Sequence, residues 1–285
     1  MRALVVHNPK AGRASLSSED LLAELRSTGL TLSYCSSNNA EFPDCLREPA
    51  DLVIAAGGDG TVAKLIRNVP YRSVPIAILP IGTANNIARS LGIAGPPREL
   101  AATWSLERTR RLDIGVARGK WGQCNFVEAV GVGSLTKAIQ QVDASAVESG
   151  DPLRHGRSAL AKLLANARPT RTRLDLDGRA LSGDFLLVEV LNVRSVGPGL
   201  RLAPEADPGD GLLDLVCLRA DQRAEMIEWL RAPDHKSAPL TVERSMEVAV
   251  AWGATPLRID DKVLAEQTAK RTARIKVEAH VNILI

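Results

Sequence analysis

The sequence predicts an α/β fold in two parts: an N-terminal doubly wound parallel sheet and a C-terminal, mainly antiparallel β domain. In residues 1–113, short apolar runs alternate with segments of helical spacing, as in parallel strands joined by crossover helices. In residues 114–285, one strand-like run follows another with only two helical interruptions. The 285 residues are enough for two domains, so we place the boundary between residues 113 and 114.

In the first domain, apolar periodicity predicts four strands and four helices. The strands are predicted at residues 3–6, 30–34, 51–56 and 75–80. The helices are predicted at residues 18–25, 62–66, 87–91 and 99–104. Because strands and helices alternate, the ligand-binding loops are expected at the carboxyl ends of the strands.

The second domain follows a change of texture at Gly95-Pro96-Pro97, and most of its apolar runs suit β structure. Strands are predicted at residues 111–117, 122–132, 172–176, 185–192, 213–218, 245–251, 257–259 and 273–277, with a last apolar run at 281–285. Helices are predicted at residues 158–167 and 223–230. A run of strands with few helices indicates an antiparallel arrangement.

The composition excludes some classes of function. Hydrophobic residues make up 45% of the chain and charged residues 24%, which is the balance of a globular protein with a sizeable core. Aromatic residues make up only 3%, which argues against a nucleic-acid surface built on stacked rings. A net charge of +3 is too small to indicate nucleic acid by itself, so we expect no nucleic-acid partner.

The cysteines and the apolar runs bear on location. Four scattered cysteines without metal-ligand spacing read as reduced thiols, and the chain begins with a strand-like run rather than a signal peptide, so we predict a cytoplasmic protein. No apolar run approaches about 18 residues, the length needed to span a membrane. Residues 154–157 and 168–173 are locally basic. They form either a solvated positive face or a surface that contacts phosphate or an anionic membrane.

The most informative stretch is the third predicted strand with the turn after it, where residues 57–61 read Gly-Gly-Asp-Gly-Thr. Glycines allow a ligand to approach the backbone, and free N–H groups at the start of the following helix form an anion site. Thr61 adds a hydroxyl donor, and Asp59 adds a carboxylate for a metal or an acceptor hydroxyl. Alone, the stretch fits a tight turn equally well.

Two further polar breaks end neighbouring strands, at residues 8–12 and 82–86. In a parallel sheet all three loops emerge at one edge, so together they predict a cleft for a phosphorylated ligand, with Lys10 and Arg13 adding positive charge at its rim. The residues expected to bind this ligand are Asn8, Lys10, Gly12, Gly57, Gly58, Asp59, Gly60, Thr61, Gly82, Thr83 and Asn85.

These loops also carry a family resemblance. Residues 57–61 are similar to the nucleotide signature of the diacylglycerol kinase catalytic domain, residues 79–89 to its second signature, and Asn8-Pro9 with Gly12 to its first. The second signature favours the lipid-kinase branch over the related NAD kinases and phosphofructokinases. The resemblance implies ATP and Mg²⁺ as cofactors, and a nucleotide-binding α/β domain and a β-sandwich domain with a cleft between them.

The resemblance extends into the second domain, where Asn192 and the glycines at 197–199 fall at positions with similar residues in the family. Residues 203–207 and 210–215 look like the family's Asp-Gly-x-Leu-Asp loop. Bacterial members hold a structural magnesium there, which implies a site made by Asp207, Asp210 and the backbone of Leu212. Oxygen ligands suit Mg²⁺, although a plain acidic turn explains these residues as well.

One departure from the family concerns catalysis. Its members carry Val-Asp-Gly-Glu near the C-terminus, and that glutamate is assigned as the base, but residues 259–262 here read Ile-Asp-Asp-Lys. A protonated lysine accepts no proton. Lys262 therefore has three interpretations: it contacts phosphate or an anionic acceptor while Asp59 or Asp261 acts as base, it marks a protein that binds nucleotide without transfer, or it is a surface residue in a slipped register.

The leading hypothesis is an ATP-dependent kinase that phosphorylates a hydroxyl of a lipid or lipid-like acceptor, with Asp59, Asp261 and Lys262 as catalytic candidates. The acceptor would enter between the domains, and the enzyme would contact a membrane surface peripherally. A catalytically impaired regulatory protein and a kinase of a soluble hydroxyl compound are the alternatives. The oligomeric state stays open, with a homodimer among the options.

Overall fold

The computed structural model describes residues 1–12, 16–142, 151–233, 237–253, 255–264 and 271–285. The chain forms two compact units. The first comprises Met1–Asp113 together with Ala279–Ile285, and the second comprises Ile114–Glu278. The terminal residues 279–285 thus belong to the first unit, whereas the sequence analysis placed them in the second domain.

Among the described residues, the first unit contains four complete strands and five helices, together with the ends of two longer strands that are shared with the second unit. The strands are β1 (Arg2–His7), β2 (Thr31–Ser36), β3 (Leu52–Gly57) and β4 (Ile76–Pro80). The helices are α1 (Ser18–Arg26), α2 (Phe42–Cys45), α3 (Asp59–Asn68), α4 (Asn86–Ser90) and α5 (Pro97–Thr103). The four predicted strands and four predicted helices are present, and the one-turn helix α2 is an addition that the sequence analysis did not predict.

The sheet of this unit is parallel, with the strand order β4-β3-β1-β2. His7 pairs with Ala56, and Ala56 pairs with Leu79, so the carboxyl ends of β1, β3 and β4 are level. The loops that follow these three strands therefore begin at one edge of the sheet.

Helices cover both faces of the sheet. Alternate strand residues, among them Val5 and Ile54, form a buried cluster with Leu21 and Leu25 of α1 and Ala101 of α5. The strand residues of the opposite parity are also buried, and α3, whose Leu65 and Ile66 are buried, packs against β3. The nearly continuous apolar strands follow from this burial on two sides.

The second unit is built mainly from antiparallel strands. The strands are β5 (Thr109–Gly119, beginning in the first unit), β6 (Gly122–Phe126), β7 (Ala129–Gly133), β8 (Thr170–Leu176), β9 (Arg179–Leu191), β10 (Leu213–Arg219), β11 (Thr241–Ser245), β12 (Glu247–Trp252), β13 (Leu257–Ile259), β14 (Lys262–Leu264) and β15 (Arg271–Leu284, ending in the first unit). The helices are α6 (Ser134–Val142), α7 (Pro152–Asn166) and α8 (Arg223–Trp229).

Strand β9 joins the layers of this β-sandwich. Its first half pairs with β8, and its second half pairs with β7 and with β10. One hydrophobic cluster, which includes Val190, Leu215 and Ile275, is formed by buried residues of these strands. A second cluster, which includes Leu160 of α7 and Met226 of α8, packs the helices on the strands.

The last residues of β15 explain the return of the C-terminus to the first unit. Ile283 pairs in parallel with Ile76 of β4, and the N–H of Ile285 donates to the carbonyl of Arg108. The sequence analysis predicted separate runs at 273–277 and 281–285, but one strand of 14 residues spans both.

The predicted single strand at residues 122–132 was wrong, because the structure has two strands, β6 and β7, with a break at Val127 and Glu128. The N–H groups of Val127, Glu128 and Ala129 donate to the carboxylate of Asp260 instead of a neighbouring strand. The sequence analysis also did not predict β11, β14 and α6.

Two further observations concern membrane-spanning helices and the cysteines. Among the described residues, no helix combines the length and apolar character required to cross a membrane. All four cysteines, Cys35, Cys45, Cys124 and Cys217, are free thiols.

Candidate functional site

The turn after β3 is shaped by glycine. A β-carbon on Gly57 would lie 2.4 Å from Oγ1 of Thr61, so only glycine fits beneath the first turn of α3. The N–H groups of Thr61 and Val62 donate to the carbonyl of Gly58 at 2.9 and 3.1 Å, which starts the helix. Thr61 is buried and Gly60 is exposed.

The loop after β3 and the loop after β4 contact each other through their backbones. A β-carbon on Gly82 would lie 2.2 Å from Cα of Gly58, and one on Gly58 would lie 3.2 Å from Cα of Gly82. Real β-carbons essentially never come within 2.2 Å of such an atom. The two glycines therefore allow the loops after β3 and β4 to form one surface.

Asn85 organises the loop after β4. Its backbone is left-handed, with φ 51°, and its side chain closes the loop on itself. Oδ1 accepts from the N–H of Gly82 at 3.0 Å, while Nδ2 donates to the carbonyls of Pro80 and Gly82 at 3.0 and 2.9 Å. Thr83, between these anchors, is exposed.

The first loop joins the same edge. The N–H of Asn8 donates to the carbonyl of Ala56 at 3.0 Å, and Oδ1 of Asn8 accepts from Nδ2 of Asn38 at 3.0 Å. Gly12 has φ 72°, and a β-carbon there would lie 2.3 Å from the carbonyl oxygen of Ile81. All three predicted loops thus meet. Lys10 is exposed, and Arg13 lies outside the described residues.

Asp59 ties α3 to α4. Its Oδ1 accepts from the N–H of Ile87 at 2.8 Å, at the N-terminus of α4, where an acceptor satisfies a backbone donor that the helix leaves open. Burial raises the pKa of Asp59, and the hydrogen bonds from Ile87, Asn86 and Asn85 oppose that rise. The carboxylate is therefore a structural link between two loops of the site.

In the second unit, the predicted catalytic motif forms the β13–β14 hairpin, in which Ile259 pairs with Lys262. Asp260 adopts φ 49°, and its carboxylate accepts from Val127, Glu128 and Ala129 at 2.8–3.2 Å. The role of Asp260 is therefore structural. Asp261 and Lys262 are both exposed.

A buried ion pair between Arg258 and Glu189 contacts the turn of this hairpin. Nη2 of Arg258 lies 2.6 Å from Oε2 of Glu189, both side chains are at most 1% exposed, and Nη1 of Arg258 donates to the carbonyl of Asp260 at 2.8 Å. Gly131 provides the space, because a β-carbon there would lie 2.1 Å from Glu189. Sequence reasoning missed this pair, although charged residues within apolar strands were the available signal.

The predicted metal residues lie in one turn. Oδ1 of Asp207 accepts from the N–H of Gly209 at 3.1 Å, and Oδ1 of Asp210 accepts from the N–H of Leu212 at 2.9 Å. The other oxygen of Asp210 contacts the guanidinium of Arg244. Among the residues that the structure describes, no group of three or more histidine, cysteine, aspartate or glutamate side chains is placed to hold a metal ion.

Comparison with known proteins agrees with this architecture. Residues 2–117 match the diacylglycerol kinase catalytic domain, and residues 128–270 match the YegS C-terminal NAD kinase beta sandwich-like domain. A diacylglycerol kinase of Bacillus subtilis (strain 168) is 30% identical over 239 residues, which cover 79% of this chain and 76% of that protein.

Solved structures share the fold. The crystal structure of a diacylglycerol kinase from Bacillus anthracis aligns with a TM-score of 0.69 at 18% identity, covering 99% of this chain and 96% of that one. An NAD kinase from Archaeoglobus fulgidus in complex with ATP aligns with a TM-score of 0.58 at 14% identity, covering 100% and 94%. By its matched domains and its relative at 30% identity, the chain belongs to the diacylglycerol kinase catalytic-domain family.

Proposed function

We propose that this protein is an ATP-dependent lipid kinase, which transfers the γ-phosphoryl group of ATP to a hydroxyl of a lipid or lipid-like acceptor. The contact between Gly58 and Gly82 carries the proposal, because it joins two glycine loops into one surface that a polyphosphate can approach closely. The match of residues 2–117 to a kinase catalytic domain supports the same assignment.

Phosphate transfer depends mainly on positioning and on neutralising charge. The backbone of residues 58–60 presents N–H groups at the start of α3, where the helix dipole favours negative charge. The exposed hydroxyl of Thr83 and the exposed ammonium of Lys10 would bind phosphate oxygens. Asn8 and Asn85 hold the loops in shape through their side chains rather than reach outward.

Mg²⁺ is proposed as the metal that accompanies ATP, where it would neutralise phosphate charge. We assign Asp59 to this metal because its carboxylate lies where the loops after β3 and β4 meet and accepts the N–H of Ile87 there. Hard oxygen donors of this kind suit Mg²⁺.

A second, structural magnesium is proposed at Asp207, Asp210 and the backbone of Leu212. Two carboxylates and a carbonyl in one turn fit the preference of Mg²⁺ for oxygen, and the carboxylates already order the turn. Arg244 competes for this site, because its guanidinium contacts Asp210.

The test measures ATP binding by calorimetry beside ATP-dependent phosphorylation of a panel of acceptors: diacylglycerol, a sphingoid base and soluble nucleosides and sugars. The proposal expects transfer to a lipid hydroxyl. Tight ATP binding without transfer to any acceptor would favour the regulatory protein suggested by Lys262. Transfer to soluble acceptors alone would favour a kinase of a soluble hydroxyl compound.

A further inference from the structure

The outer face of the β-sandwich carries an open groove of about 760 Å³, a volume within the range of small-molecule sites. Four strands that lie side by side, β9, β8, β12 and β15, form its base, and residues 118–120, where β5 ends, complete the described lining. All of these lining residues belong to the second unit, so the groove is a feature of that unit alone. We call it the β12 groove.

The strand register explains why these residues share one face. One row across the four strands consists of Ser182, Arg173, Ala251 and Thr272. The next row consists of Ala180, Asp175, Ala249 and Arg274. Successive side chains of a strand point to opposite faces, so both rows face away from the core, whereas the intervening Leu174, Val250 and Ala273 belong to the buried cluster of the sandwich.

Differences in side-chain size produce the groove. Ala249 and Ala251 on β12 are half-buried and offer only methyl groups. Arg173 on β8 and Arg274 on β15, in the two strands that flank β12, are exposed and carry long charged side chains. A floor of methyl groups between exposed guanidinium groups suits a ligand that has both an apolar part and a negative charge.

The charge of the β12 groove is mostly positive, because its described lining carries four cations and one carboxylate, that of Asp175. Two of the cations, Arg118 and Arg274, already pair with glutamates at 2.5 and 3.4 Å. Lys120 and Arg173 have no carboxylate partner among the residues that the structure describes. Both side chains are exposed, so two positive charges are available to a ligand.

Phosphate is the anion that this arrangement fits best. The guanidinium of Arg173 can donate two parallel hydrogen bonds to phosphate oxygens, and Lys120 adds a second positive charge for the second negative charge of a phosphate monoester. The exposed hydroxyls of Ser182 and Thr272, in the row of Arg173, are further donors. Asp175 repels an anion from the next row, which directs the phosphate to the row of Arg173.

We propose that the β12 groove binds a water-soluble phosphate ester of small-molecule size, with its phosphate on Arg173 and Lys120 and its carbon part on Ala249 and Ala251. A flat bilayer would rest on the exposed arginines and leave the alanine floor uncovered, whereas a small molecule reaches both. The locally basic stretch at residues 168–173 acquires a role here through Arg173. The inference uses no residue of the glycine loops and does not depend on the proposed kinase function.

The experiment measures binding to the whole protein by calorimetry for three esters, glycerol 3-phosphate, glucose 6-phosphate and phenyl phosphate, beside inorganic phosphate. The groove variants are Lys120→Gln and Arg173→Gln. Arg231→Gln is the matched control, because it removes an equal charge from an exposed residue of the same unit, which pairs with Glu228 at 2.5 Å. Thermal unfolding shows whether each variant is folded, and substitution of exposed side chains should leave Tm close to that of wild type. Sedimentation with vesicles of phosphatidylglycerol and phosphatidylcholine tests the membrane alternative.

We expect at least one ester to bind wild type more tightly than inorganic phosphate does, because the alanine floor contacts its carbon part. The Kd of that ester should rise at least about fivefold in Lys120→Gln and in Arg173→Gln, since each loses a charge-assisted contact, and should stay within about twofold in Arg231→Gln.

The inference would be overturned by any of three results. The first is that no ester binds at about 10 mM, or that none binds more tightly than inorganic phosphate. The second is that either groove variant binds the ester as tightly as Arg231→Gln does. The third is vesicle binding that is lost in Arg173→Gln without any ester binding, which would assign the groove to a lipid surface instead.

Discussion

Asp59 and Ile87 are joined by a 2.8 Å hydrogen bond from the N–H of Ile87 to the carboxylate of Asp59. The bond connects the first turn of α3 to the start of α4, so the glycine turn after β3 and the loop after β4 share one anchor. The acid that the sequence singled out for chemistry is therefore also part of the scaffold of the proposed nucleotide site.

Because Asp59 both anchors the loops and is proposed to act in phosphate transfer, we predict that two substitutions of Asp59 differ in their effects on stability. Asp59→Ala leaves the N–H of Ile87 without its acceptor, which should cost about 1–3 kcal/mol of unfolding free energy, and phosphate transfer should be lost. Asp59→Asn keeps an acceptor oxygen, so its stability should lie within about 1 kcal/mol of wild type while kcat still falls at least about 100-fold. Urea unfolding and kinase assays measure both quantities. Wild-type kcat in Asp59→Asn would remove the charge of Asp59 from the mechanism.

The approach of Gly58 and Gly82 predicts intolerance of any side chain at position 82. Gly82→Ala puts a β-carbon 2.2 Å from Cα of Gly58, so the loops must separate. We expect a loss of about 1–3 kcal/mol in stability, typical of overpacking, and at least tenfold weaker ATP binding by calorimetry. Gly253→Ala is the control, since a β-carbon there meets nothing within 4 Å. Equal ATP affinity in Gly82→Ala and Gly253→Ala would contradict the proposed contact surface.

Arg244 predicts how the proposed structural magnesium site behaves. Its guanidinium contacts Asp210 and its Nε lies 3.6 Å from Asp214, so removing it should free carboxylate charge for a cation. Arg244→Gln should therefore show a larger rise in Tm with millimolar MgCl₂ than wild type, because a ligand that binds only the folded state stabilises it. Arg179→Gln, which breaks an exposed pair with Glu243 at 2.8 Å, is the control. No Mg²⁺-dependent shift in either wild type or Arg244→Gln would refute the site.

The raised pKa of Asp214 predicts that the free energy of unfolding depends on pH. Burial raises the pKa of Asp214 from 3.8 to about 6, opposed by Arg244 and reinforced by Asp210. Between about pH 4 and pH 6 the folded state therefore binds more protons here than the unfolded state, so this group's contribution to stability decreases as pH rises through that window. Asp214→Asn lacks the titration, and its unfolding free energy relative to wild type should rise by about 1–3 kcal/mol from pH 4 to pH 6 and then stay level. A difference that does not change with pH, measured by urea unfolding, would contradict the assignment.

The parts of the site that the sequence predicted are local. A glycine pair at the end of an apolar strand and a polar break after the next strand are read from neighbouring residues, and the level strand ends follow from parallel pairing. The placement of Gly57, Gly82 and Gly12 followed from that reasoning. The hydrogen bonds that occupy Asp59 and Asn85 did not, because their partners depend on how two loops pack.

The parts that the sequence missed depend on distant residues. Asp260 accepts N–H groups from residues 131 to 133 positions away, and this interaction divides the predicted strand at 122–132 into β6 and β7. Arg258 and Glu189 pair across 69 positions. No periodicity within one segment reports such contacts, so the structural role of Asp260 and the burial of the Arg258–Glu189 pair emerged only in the folded chain.

The measurement that tests the central claim most directly is transfer of labelled phosphate from ATP to diacylglycerol in mixed micelles, with Asp59→Asn prepared in parallel. A lipid kinase should yield lipid-extractable label that grows with time and with wild-type enzyme and falls to background in Asp59→Asn. Wild-type protein that binds ATP but leaves no label in diacylglycerol or in any other lipid hydroxyl would contradict the account.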